Sequence, residues 1–117
     1  MSETVKTVDF EAFKKETGLD DELVKELYIG FLEEISDEKE KICAQLAARE
    51  LEKLAKTVHN IKGVSGSYMS MYVYEYAKEL DAKIKESRLE DIDNMVTKLT
   101  NSIVDAEDEI KRYFLLK

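Results

Sequence analysis

The stretch Thr57-Val58-His59-Asn60-Ile61-Lys62-Gly63 holds the only histidine of the 117-residue chain. Neutral imidazole is a nucleophile near neutral pH, and its bond to phosphorus is labile enough to be passed on. Phosphoryl transfer asks for in-line approach and neutralised equatorial oxygens more than for covalent chemistry from the protein. Lys62, one helical turn beyond His59, can supply that positive charge. Gly63, four residues on, shares the face and leaves the backbone bare. Glycine inside a helix costs about 1 kcal/mol relative to alanine, which makes sense where a partner must come close to the ring. A lone helical histidine is more often an ordinary boundary residue. It is the neighbouring cation and gap that point to a face accepting and donating a phosphoryl group.

These residues need a helix to position them. Leu51, Leu54, Val58, Ile61 and Ser65 recur at steps of three and four, the spacing of one buried seam. His59 falls about 120° from the centre of that seam, so the ring is expected at the edge of the buried face, in reach of solvent. Lys53, Lys56, His59 and Lys62 follow one ridge. Between Leu51 and Lys62 three lysines stand against Glu52 alone, a local charge of +2 on a chain of net charge −8. The commoner meaning of such lysines is a solvated face.

The length is that of one domain. With no proline and four glycines, and with Leu, Glu, Lys and Ala abundant, local propensity favours helix almost throughout. The acidic surface argues against nucleic acid and anionic lipid as partners. The single cysteine, Cys43, cannot form an internal disulfide, which fits a reducing compartment. Beside Ile42 it reads as a small core residue. Met1 to Lys6 has no signal-peptide pattern, and no stretch approaches a membrane span. The expected location is cytoplasmic.

Residues 1–8 are expected to be a flexible tail and 9–117 the folded domain. Asp9 can cap a short helix carrying Phe10 and Phe13, ended by Gly18. From Asp20 a long helix buries Val24, Leu27, Tyr28, Phe31, Ile35, Ile42 and Leu46. Its rhythm falters from Ser36 to Lys39, leaving a kink or a break open. Ala48-Arg49 is the next turn candidate, and the His59 helix runs from about Glu50 to Ser67. A further helix carries Met69, Val73, Ala77, Leu80 and Ile84. Tyr68, Tyr72 and Tyr76 run along one side of it as boundary packing. Ser87-Arg88-Leu89-Glu90 has capping-box form and is expected to open the last helix, with Ile92, Val96, Leu99, Ile103, Ala106, Ile110 and Tyr113 as its seam. The fold expected is all-α, an up-down-up-down four-helix bundle with a short N-terminal capping helix.

His59-Asn60-Ile61-Lys62-Gly63-Val64-Ser65-Gly66 resembles the His-x-Leu/Ile-Lys-Gly motif of histidine-containing phosphotransfer (HPt) domains. These are small helical bundles that relay phosphoryl groups between receiver-domain aspartates. The likeness runs from Asp9 to about Phe114 and takes in the acidic first long helix, Ala77-Lys78-Glu79-Leu80-Asp81 and the final helix. It implies that His59 is the phosphoacceptor, that Lys62 stabilises the phosphoryl oxygens and that Gly63 clears room for the receiver. Asp81 stands where family members often place a Gln or Glu bonded to the imidazole, and it would orient the ring through Nδ1, leaving Nε2 to attack. The implied partners are response-regulator receiver domains and a hybrid sensor kinase. The implied protein is a monomeric phosphocarrier without catalysis of its own. It would have no cofactor or metal, Mg²⁺ belonging to the receiver. Many members carry a glycine ten residues after the histidine; here that residue is Met69.

Other readings fit less well. The phosphoacceptor domain of a chemotaxis-type histidine kinase is close in motif but needs a longer parent chain. A sensor-kinase dimerisation domain usually places an acid after the histidine, where Asn60 stands. A helical interaction adaptor would make His59 incidental. A di-iron bundle needs Glu three residues before each of two ligand histidines; Lys56 stands there, and there is no second histidine.

Overall fold

Helix caps set the first boundaries. In the computed structural model, which describes residues 7–116, Asp9 Oδ1 accepts the Ala12 N–H at 3.0 Å and opens helix α1 (Phe10–Thr17). Gly18 closes it in the left-handed region at φ 67°. Asp20 Oδ1 accepts the Leu23 N–H at 2.9 Å and opens α2 (Asp21–Ala47). Then follow α3 (Leu51–Ser67), α4 (Met71–Lys85) and α5 (Ile92–Tyr113). α2 packs on α3 and α5, and α4 packs on the same two helices, closing a four-helix ring. The buried seams are Val24, Tyr28, Phe31, Ile35 and Ile42 from α2, Leu54, Val58 and Ile61 from α3, Val73, Ala77 and Leu80 from α4, and Val96 to Ile110 from α5.

α2 is unbroken through all 27 of its residues. Where its apolar rhythm falters, the buried Glu38 takes the seam position. It accepts Asn60 Nδ2 at 3.0 Å and Lys41 Nζ at 3.2 Å. Lys39, on the other flank, reaches Glu107 of α5 at 2.6 Å. Polar pairs thus continue the packing that apolar residues begin. Three burial expectations fail. Leu27 is 38% exposed and Tyr113, at the end of the α5 seam, 46%, and Cys43 is exposed. Cys43 follows Ile42 directly, and one residue turns it about 100° away from the core.

The turns between the long helices share one device. After α2, α3 and α4 come Arg49, Met69 and Ser87 at φ 55°, 58° and 57°. Each donates its N–H three residues back, and the following residue donates five back: Arg49 to Leu46 and Glu50 to Gln45, Met69 to Gly66 and Ser70 to Ser65, Ser87 to Ile84 and Arg88 to Lys83. These are Schellman closures built without glycine. They correct two boundaries. Met69 belongs to the turn, and α4 begins at Met71. Ser87 ends α4 rather than opening α5, whose N-cap is Asp91.

α1 lids one end of the bundle. Phe10 and Phe13 each meet the Tyr28 ring edge-on at 5.0 Å. Tyr28 donates its hydroxyl to the Tyr68 carbonyl at 2.6 Å, and burial raises its phenol pKa. Tyr68 stacks between Phe13 and Phe31 at 5.2 and 4.7 Å. It lies at the end of α3, not on α4, whereas Tyr72 and Tyr76 are exposed on α4.

Residues 1–6 of the expected tail lie outside the described residues. Thr7 and Val8 are held, contrary to expectation. Their N–H groups donate to the buried Glu109 carboxylate at 2.7 and 3.0 Å. Val8 bridges Ser70, Met71 donates to the Thr7 carbonyl and Asp9 to the Met69 carbonyl, both at 3.0 Å. The N-terminal segment therefore straps the α3–α4 turn, which fixes the two helices that carry the site. Glu109→Ala strands buried donors and should cost about 1–3 kcal/mol in urea unfolding. The amides of Thr7 and Val8 should lose hydrogen-exchange protection with it.

Candidate functional site

The α3 seam leaves His59 on its flank with the side chain 63% exposed. The flank faces α4. There Asp81 follows the core residue Leu80 and sits at the edge of the α4 seam, its side chain 4% exposed. Three groups converge on one atom of it, Oδ2. Lys85 Nζ lies 3.0 Å away, Lys62 Nζ 3.2 Å and His59 Nδ1 3.5 Å. The His59 distance is longer than an ordinary hydrogen bond, but the Nδ1 edge is turned to the carboxylate, so Nε2 is the nitrogen left to solvent. Burial pushes the Asp81 carboxyl up. The ammonium groups of Lys85 and Lys62 and the imidazole N–H outweigh it, leaving the carboxyl below its usual range.

The two glycines that end α3 differ in what surrounds them. A Cβ built on Gly63 meets nothing within 4 Å, so no packing within the domain requires glycine there. A Cβ on Gly66 would stand 3.1 Å from the Tyr74 ring, so Gly66 lets α4 approach α3. Gly63 opens outward beside His59, while Gly66 serves the helix contact that brings Asp81 to the ring. On the other flank of α3, Asn60 donates to Glu38 at 3.0 Å and Glu34 at 3.3 Å, fixing the helix against α2. Lys53 of the basic ridge is taken by Glu50 at 2.9 Å; Lys56 remains exposed.

The structure thus gathers His59, Lys62 and Asp81 at one point, with Gly63 one turn along on the exposed flank. Lys85 was missed in the sequence, although its place four residues after an acid on a helix is the spacing of an ion pair. The Glu38–Asn60 clamp was missed too; its signal was the gap in the α2 seam. Among the described residues no cluster of three His, Cys, Asp or Glu side chains is placed to hold a metal ion.

An exposed imidazole backed by a buried carboxylate, with a lysine on the same oxygen, sets a nucleophile beside a fixed positive charge. The sequence model of the Hpt domain matches residues 26–109. The chain belongs to the Hpt domain family. Its role is histidine phosphotransfer in a phosphorelay, as a phosphocarrier module. In fold this Hpt domain is similar to the HPt domain of an Hpt sensor hybrid histidine kinase from Shewanella, with a TM-score of 0.80 and 18% identity over 92% of each chain. No curated protein matches the chain. Met69, at the position where many HPt domains carry glycine, keeps the left-handed backbone that favours glycine.

The charge at Asp81 makes a stability expectation. A carboxyl whose pKa is lowered by folding contributes fully above its unfolded value, about 3.9, and loses that contribution as the pH falls through its folded one. Asp81→Asn should therefore cost about 1–3 kcal/mol at pH 7. In urea titrations the gap from wild type should narrow as the pH drops below about 4.

Proposed function

We propose that His59 accepts the phosphoryl group on Nε2 from a receiver-domain aspartate and passes it to another. The observation that carries this is the chain's one imidazole, open to solvent, with its Nδ1 edge 3.5 Å from a buried carboxylate. Asp81 favours the proton on Nδ1, which leaves the Nε2 lone pair for attack. That pair forms the nitrogen–phosphorus bond as the phosphorus–oxygen bond to the aspartate breaks, and the aspartate leaves as a carboxylate. No proton is released; the phosphorylated ring keeps its Nδ1–H and gains positive charge, which Asp81 offsets. Lys62 moves onto the phosphoryl oxygens. Transfer to the next receiver runs the same step in reverse.

The domain is a carrier without catalysis of its own. Mg²⁺ and the acidic pocket come with the receiver, and this chain needs no cofactor. Gly63 is the clearance through which the receiver reaches the ring. The partners are response-regulator receivers and a hybrid sensor kinase, and the domain works as a cytoplasmic monomer. No described helix is long and apolar enough to cross a membrane, and the closed four-helix ring buries the long seams within one chain.

A phosphorylated receiver mixed with this protein should leave an acid-labile, base-stable phosphate on it, and none on His59→Gln. Equal labelling of the variant would contradict the assignment. Gly63 separates stability from transfer. Gly63→Ala should stabilise the helix by up to about 1 kcal/mol. Gly63→Gln should keep the fold while slowing transfer about tenfold or more by holding the receiver back.

A further inference from the structure

Asp81 carries one cation more than the transfer step uses. Lys62 and Lys85 both reach Oδ2, at 3.2 and 3.0 Å. Lys62 has two claims on it, from the carboxylate now and from the phosphoryl group later. If Lys62 were the only lysine there, its departure before the nitrogen–phosphorus bond forms would leave a carboxylate that is 4% exposed against a still neutral ring, with little water to replace it. Lys85 rises from the same helix one turn after Asp81, with the acid first, the favourable order for such a pair. This pairing lies wholly within α4 and does not depend on what Lys62 does on α3. An ordinary exposed i,i+4 pair contributes little. This one differs because its acid is buried and touches the reacting ring.

We propose that Lys85 is a positioning residue, the standing counter-ion that keeps Asp81 ionised when Lys62 turns from it to the phosphoryl group. Lys85 does not touch the phosphoryl group in this scheme. It acts through Asp81, which holds the Nδ1 proton of His59 and faces the positive ring once the nitrogen–phosphorus bond has formed. The inference rests on His59 being the phosphoacceptor, but its main test needs no phosphate.

Lys62→Gln imitates the departure of Lys62. In that variant, a ¹³C NMR titration should still find the Asp81 carboxyl below the usual range, and ¹⁵N spectra should find the His59 proton on Nδ1. Adding Lys85→Gln should raise the Asp81 midpoint by about one pH unit or more and move ring protonation towards Nε2. Adding Lys85→Arg instead should leave both readings where Lys62→Gln alone left them. Lys85→Gln alone should slow phosphoryl acceptance several-fold, with rescue by Lys85→Arg. The proposal is overturned if the double Gln variant titrates like Lys62→Gln, or if Lys85→Gln accepts phosphate at the wild-type rate. Labelling of His59→Gln would overturn the phosphoacceptor reading instead, whatever the spectra of the lysine variants show.

Discussion

The site depends on a carboxylate kept charged where almost no water reaches it. Asp81 is 4% exposed, and a buried charge is tolerable only when partners surround it. Those partners are Lys62 and His59 from one helix and Lys85 from its own. Each has to arrive at a single oxygen, so the carboxylate makes demands on the whole bundle: α3 and α4 must lie close, in one register, with these faces turned together. The result is a ring whose Nδ1 edge faces the carboxylate at 3.5 Å while its side chain stays 63% exposed.

The rest of the fold supplies that closeness. Gly66 gives up its side chain so that the Tyr74 ring can pack over α3. The strap at Thr7 and Val8, anchored on Glu109, braces the turn between the two helices. Asn60, next to His59 in the chain, fixes the opposite flank to Glu34 and Glu38 of α2. Between these constraints His59 is held by backbone and open by side chain. Gly63 belongs to the open side, since nothing in the domain fills the space beside it.

What could be read from the chain beforehand follows from periodicity and local caps. Asp9, Gly18 and Asp20 act where their side chains or backbone freedom suggested, and the seam placed His59 correctly at its edge. The turns were harder. Arg49, Met69 and Ser87 adopt a backbone that glycine usually signals, at a cost of roughly 1–2 kcal/mol each; the turn at Ala48-Arg49 was legible, but no glycine flags those at Met69 and Ser87. Ser87-Arg88-Leu89-Glu90 offered a false flag, a capping box one turn too early. Polar packing was also hidden: a buried Glu38 looks like an interruption until Asn60 is seen across from it. Lys85 and Cys43 show the limits of reading one helix at a time. The importance of the first lies in a neighbour's charge, and the exposure of the second lies in one residue of rotation.

The isomer of the phosphorylated ring decides whether Asp81 orients His59 for attack through Nε2. Long-range ¹H–¹⁵N correlation spectra of the labelled, phosphorylated protein report which nitrogen of His59 holds phosphorus and which holds hydrogen. Expected are phosphorus on Nε2 and a proton on Nδ1, facing Asp81. Phosphorus on Nδ1, or an unmodified His59 ring in phosphorylated protein, would contradict it.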